Sequence, residues 1–147
     1  MAYVVSADIE AEFKGGATFG ASTAVTTTNI TEFISQEEAV LNGKLAKRYA
    51  VPITGTEALK IAKRITTGLV KARILDILAV KTGDPKLDQS MGGGALRRAM
   101  NDLTDMIVEG KIKLTDGTPA ESDEGVDDYI STDDDIEMKF DRETDQW

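Results

Sequence analysis

Two short stretches hold the residues best suited to chemistry in this 147-residue chain: "MGGGALRR" (Met91–Arg98) and "STDDDIE" (Ser131–Glu137). The first sets a glycine run before two arginines, an arrangement in which a helix N-terminus can receive an anion. A phosphate loop requires G-x-x-x-x-G-K-[ST], and that spacing is absent. A hinge between helices is the simpler reading. The second stretch gathers carboxylates, but a calcium loop alternates its ligands around a central glycine. Adjacent Asp133, Asp134 and Asp135 do not alternate and have no such glycine. Neither stretch predicts a cofactor or a metal site.

Catalytic pairs fare no better. The chain has no histidine and no cysteine, which removes the commonest general base, the commonest metal ligand and any disulfide. Serines, threonines and lysines abound, yet none comes with an identifiable base. Asp102 and Asp105 fall on one solvated helix face, where salt bridging is their default role. The expectation is that this is not an enzyme. Lys44, Lys47, Arg48, Lys60, Lys63, Arg64 and Lys71 can be read as a nucleic-acid stripe. Acids balance them, aromatics make up only 5%, and the acidic C-terminal stretch would compete with DNA, so specific DNA binding is not expected.

The elements that must position these residues read as helices. Ser6 can cap a short helix over "ADIEAEFK", with Ile9 and Phe13 as a buried pair. The Gly- and Thr-rich "GGATFGASTAVTTT" has no helical period and reads as a loop. Asn29 and Glu32 have the spacing of a capping box. Ile30, Phe33, Ile34, Leu41, Leu45 and Tyr49 follow at helical steps as a core-facing stripe. Gly43 costs this helix about 1 kcal/mol relative to alanine and is expected to mark a close helix–helix approach.

Pro52 biases Val51 away from helical geometry and stops the chain there. Thr56 then can cap a third helix of about 25 residues, whose second half, Leu69 to Val80, is apolar nearly all round. That half should be the central buried element. "TGDPKLDQSMGGG" breaks the pattern. A fourth helix carries Leu96, Ala99, Met100, Leu103, Met106 and Ile107 on its stripe, with Gly110 where a left-handed C-cap belongs. "KIKL" reads as a short strand or extended end, closed by the turn "TDGTP". The predicted fold is mainly α: a small bundle of three to four helices with a long central helix and an extended C-terminal arm.

Charge divides the chain in two. Residues 1–118 carry 15 basic and 14 acidic residues, a balance of +1; residues 119–147 carry 2 and 12, a balance of −10, which together give the net −9. This sets a helical body over 1–118 and an acidic arm over 119–147. Within the arm, Ile136, Met138 and Phe140 alternate with Glu137, Lys139 and Asp141, and the only tryptophan is Trp147. Acidic tails that merely solubilise usually lack such residues. A docking arm that adds a strand to a neighbour and seats its apolar side chains there is the preferred reading. No apolar run approaches the roughly 20 residues that span a bilayer, and "MAYVVSADIEAEF" has no basic n-region. A soluble, cytoplasmic chain without membrane contact is expected.

The order of pieces resembles a known family. "AYVVSADIEAEF", then "ITEFISQEEAVLNGKLAKRYAVPI", "LKIAKRITTGLVKARIL" and "RRAMNDLTDMIVEGKIKL" resemble the head–tail connector (adaptor, or head-completion) proteins of tailed bacteriophages. The likeness is to the type found in Mu-like prophages and long-tailed phages. Its most specific parts are Arg48-Tyr49 with Pro52 after it, and Ala99, Leu103, Ile107 and Gly110 before "KIKL".

The resemblance implies a non-enzymatic virion protein at the capsid–tail neck, assembled in the host cytoplasm. It implies a ring beneath the portal vertex, twelvefold to match the portal, that joins capsid to tail. Its partners would be the portal protein, its own copies and a downstream stopper or tail-completion protein. DNA would pass through a channel without sequence-specific binding, so a lining without net basic charge is expected. On this reading Ile136, Met138, Phe140 and Trp147 bind the portal or a neighbouring subunit, and Tyr49 and Pro52 pack the second helix on the central one. The alternative is a small cytoplasmic regulatory or DNA-mimicking protein that acts through its acidic tail.

Overall fold

The computed structural model describes residues 2–13, 19–82 and 93–120. The described part is a bundle of four helices, and no strand occurs among the described residues. They are α1 (Ser6–Glu12), α2 (Thr27–Leu45), α3 (Thr56–Thr82) and α4 (Gly93–Val108). The long α3, about 40 Å at 1.5 Å per residue, packs against each of the other three.

Each helix starts where its unpaired N–H groups find an acceptor. Val5, not Ser6, is the N-cap of α1, because Asp8 reaches back to accept the Val5 N–H at 3.2 Å. The capping box of α2 lies three residues earlier than Asn29 and Glu32 suggest. Thr26 Oγ1 accepts the Asn29 N–H at 3.2 Å, and Asn29 Oδ1 accepts the Thr26 N–H at 3.0 Å. At α3 the cap is long-range rather than Thr56. Asp116, in the C-terminal turn, accepts the N–H groups of Glu57 at 2.8 Å and Ala58 at 2.7 Å.

The aliphatic stripes form one core. Ile9, Ile30, Leu41, Leu45, Ile53, Ile65, Ile74 and Ile107 are its largest fully buried side chains, each contributing roughly 1.5–3 kcal/mol by leaving water. Val70 and Ala72 join Ile74 on the second half of α3, which is central as its composition requires. The stripe of α4 is narrower than its sequence suggests. Ile107 and Thr104 are buried and Met100 and Leu103 partly so, while Ala99 and Met106 face solvent.

Two glycines, neither of them Gly43, set the closest helix approaches. Nothing lies within 4 Å of where a Gly43 side chain would start. Gly68 instead faces Met100, and Gly93 abuts the Ala72 carbonyl, so α4 sits tight on α3. Gly110, at φ +80°, ends α4 as the predicted left-handed cap. Beyond it "KIKL" forms no ladder; it bends at Lys111 and Ile112, the Ile112 N–H donating to the Met106 carbonyl at 3.1 Å, with Leu114 buried, Ile112 half-buried and both lysines exposed. The chain then pairs with the end of α2. Ala50 N–H donates to the Thr118 carbonyl at 2.8 Å, and Ala120 N–H to the Arg48 carbonyl at 2.9 Å. Pro119 and Ala120 are therefore pinned to the body, two residues past the charge boundary.

Candidate functional site

The residues singled out at the end of α2 have separate fates. Tyr49 lies just past the helix and is 6% exposed. Its hydroxyl accepts the Leu114 N–H at 3.1 Å, its ring lies where a Gly117 side chain would start, and its backbone bridges to Pro119. Tyr49 thus fastens the C-terminal turn to the body. Pro52 follows a cis peptide bond and is solvent-exposed. It turns the chain but packs on nothing in the core; the neighbouring Ile53, 1% exposed, makes the buried contact.

The N-terminal segment is fastened at the same end. Glu38 Oε1 accepts the N–H groups of Tyr3 at 2.6 Å and Val4 at 3.1 Å. The Tyr3 hydroxyl donates to Asn42 and accepts the Ile53 N–H at 2.8 Å. Burial holds the Tyr3 phenol above its ordinary value, and the charge of Glu38 adds to that. Both ends of the body therefore converge on the α2–α3 junction.

The seven basic residues do not form one stripe. Lys44 belongs to an α2–α4 contact, at 3.3 Å from Asp105, which gives Asp105 the salt-bridging role expected of it. Lys60, Lys63, Arg64 and Lys71 line a groove of about 520 Å³ bounded by α3 and α4, with Glu12 of α1 at its edge. Gly68, Leu96 and Met100 give that groove an apolar floor. Lys60 pairs with Glu57 at 2.6 Å, Lys63 with Asp8 at 2.9 Å and Lys71 with Glu12 at 3.1 Å. Lys63 is the main reason the Asp8 carboxyl lies below its ordinary value. Arg64 has no carboxylate partner among the described residues.

The anion position suggested by "MGGGALRR" is taken by the chain itself. Gly93 opens α4 directly against the Asp76 carboxylate, which Arg97 reaches at 3.5 Å. Arg97 and Arg73 also flank the buried Glu37, at 3.9 and 3.8 Å, and Arg73 lies 4.1 Å from the Phe33 ring centre. Sequence reasoning missed this α2–α3–α4 charge cluster, whose local signal is Arg73 and Asp76 three residues apart in a mostly apolar half-helix. Among the described residues no group of three or more acidic side chains can hold a metal ion, and no helix is long and apolar enough to cross a membrane. Ile136, Met138, Phe140 and Trp147, with Asp133 to Asp135, lie outside the described residues.

No protein-family model matches the chain, and comparison with curated proteins and with solved structures finds no match.

Proposed function

We propose that this chain is a structural connector of a tailed-phage virion: a ring-forming helical body that joins the portal vertex to the tail and carries an acidic arm for its partner. The observation that carries this reading is the anchored exit of the C-terminal segment. Thr118 to Ala120 pair with Arg48 to Ala50, and Tyr49 holds the turn before them. A segment of −10 charge with alternating apolar residues thereby leaves the body from a fixed point. Fixing the base of an arm lowers the ordering cost when its tip binds. The body's order of helices, on which the family resemblance rests, supports the same reading.

On this reading the partners are the portal protein, further copies of the chain in a twelvefold ring, and a downstream stopper or tail-completion protein. Its place is the capsid–tail neck, reached after assembly in the host cytoplasm. Ile136, Met138, Phe140 and Trp147 provide the contact, and the surrounding acids steer it toward a basic rim. The test is to size the chain alone and with portal rings, as wild type and as Ile136→Asp with Phe140→Asp. Co-assembly into a closed ring that the double substitution abolishes is expected. A wild-type chain that ignores portals, or that instead binds a DNA-binding protein at its DNA site, would overturn the proposal.

A further inference from the structure

The groove between α3 and α4 has an apolar floor, a cationic rim and no described residue seated in it. Among the described residues Arg64 stands on that rim without a carboxylate partner, and the three lysines beside it are held by surface pairs, Lys71 also lying 5.8 Å from the Phe13 ring centre. Such pairs exchange partners at little cost. The floor is Leu96 and Met100, with Met100 seated where a Gly68 side chain would start. The surface therefore fits an extended acidic peptide with apolar residues at every second position.

We propose that this groove is the docking surface for the segment Asp133–Asp141 of the same molecule. Its sequence, "DDDIEMKFD", supplies Ile136, Met138 and Phe140 for the floor and Asp133, Asp134, Asp135, Glu137 and Asp141 for the rim. Chain length permits the contact. Ala120 is pinned four residues after Asp116, which caps the N-terminus of α3, and the groove begins one turn along that helix at Lys60. The twelve residues between Ala120 and Asp133 span at most about 40 Å, which covers the groove. Tethering gives the segment a millimolar-scale local concentration, so docking within one molecule outcompetes docking on another copy. The inference rests on reading residues 119–147 as a docking arm, and adds where that arm lies before its partner arrives. Its acids neutralise the groove in the free chain, and the same apolar residues become available only on release.

The absence of cysteine makes the test direct. A spin label on Ser131→Cys in the isotope-labelled full chain should broaden the amide signals of residues 60–71 and 96–100 and leave α2 sharp. The broadening should fade in high salt and be lost in the Lys60→Glu, Arg64→Glu double variant, whose two exposed side chains hold nothing in the core. Ile136→Asp with Phe140→Asp should abolish it with the groove intact. Broadening spread evenly over the body, or unchanged by either pair of substitutions, would overturn the proposal. So would broadening carried by mixtures in which label and isotope sit on different chains. Portal is absent throughout, so failure here is separate from failure of the connector reading.

Discussion

Tyr49 accepts the backbone N–H of Leu114 through its hydroxyl at 3.1 Å, across 65 residues of sequence. The pair closes the bundle: one partner lies just past α2, and the other is a buried aliphatic beyond α4. Tyr49→Phe keeps the ring and leaves that buried N–H without an acceptor, at a cost of about 1–3 kcal/mol. Urea unfolding should show a lower midpoint with an unchanged slope. Hydrogen exchange at Leu114, Ala50 and Ala120 should rise more than exchange in α3. A Phe variant as stable as wild type would mean that the hydroxyl does not hold the turn.

The second clamp is at the other end of the chain. Glu38 takes two N–H groups from the N-terminal segment, so Glu38→Ala leaves both without their acceptor. A loss of about 2–4 kcal/mol is expected from two buried donors, with Tyr3 and Val4 amides losing their exchange protection first. Glu38→Gln, which retains an oxygen acceptor, should recover part of it.

How much of this was legible depends on how far apart the partners lie. The four helices follow from local periodicity, since Ile30, Ile34, Leu41 and Leu45 need only the 3.6-residue repeat to share a face. The helix starts were less legible, because capping depends on which of several polar residues the tertiary structure leaves free. Thr26 and Asn29 took the box at α2, and Asp116 capped α3 from 59 residues away. Burial of α4 was overestimated for Ala99 and Met106, which fit a helical stripe but are exposed.

The candidate groove was half legible. Lys60, Lys63, Arg64 and Lys71 are visible as a basic run on one helix, but Lys44, Lys47 and Arg48 belong to a different surface. The apolar floor comes from Leu96 and Met100 on another helix and was not legible. Pro52 signalled a turn correctly, yet its neighbour Ile53 carries the packing. A proline constrains its own backbone, whatever its side chain touches.

Two glycine substitutions should move stability in opposite directions. Gly43 sits in the last turn of α2 with open space around it, so Gly43→Ala should stabilise by about 0.5–1 kcal/mol through helix propensity and a less free unfolded chain. Gly93 is buried, and an added Cβ would meet the Ala72 carbonyl and the Asp76 carboxylate. Gly93→Ala must push α4 off α3, at a cost of about 1–3 kcal/mol. Thermal unfolding of the two variants reads both signs. A destabilised Gly43→Ala would restore the close helix contact that the geometry denies.

Asp116 sets an acid limit on the bundle. The N–H groups of Ala58 and then Glu57 hold its carboxyl below the ordinary value near 3.8, because the charged form is the better acceptor for an α3 terminus that is itself positive. A carboxyl whose value is lowered by folding stabilises the folded state fully above its unfolded value. That contribution falls away as the pH drops through the folded one. Wild-type stability should therefore hold steady down to about pH 5 and decline between there and the folded value, below 3.8. Asp116→Asn should be less stable at neutral pH and should show a shallower decline over that acid window, with the two curves converging at its lower end. Asp8, lowered chiefly by Lys63, titrates in the same range, so the comparison is best made in chains that also carry Asp8→Asn. The measurement is the urea midpoint, followed from neutral pH down through the acid window. Parallel curves with and without the Asp116→Asn substitution would show that the cap contributes no pH-dependent stability.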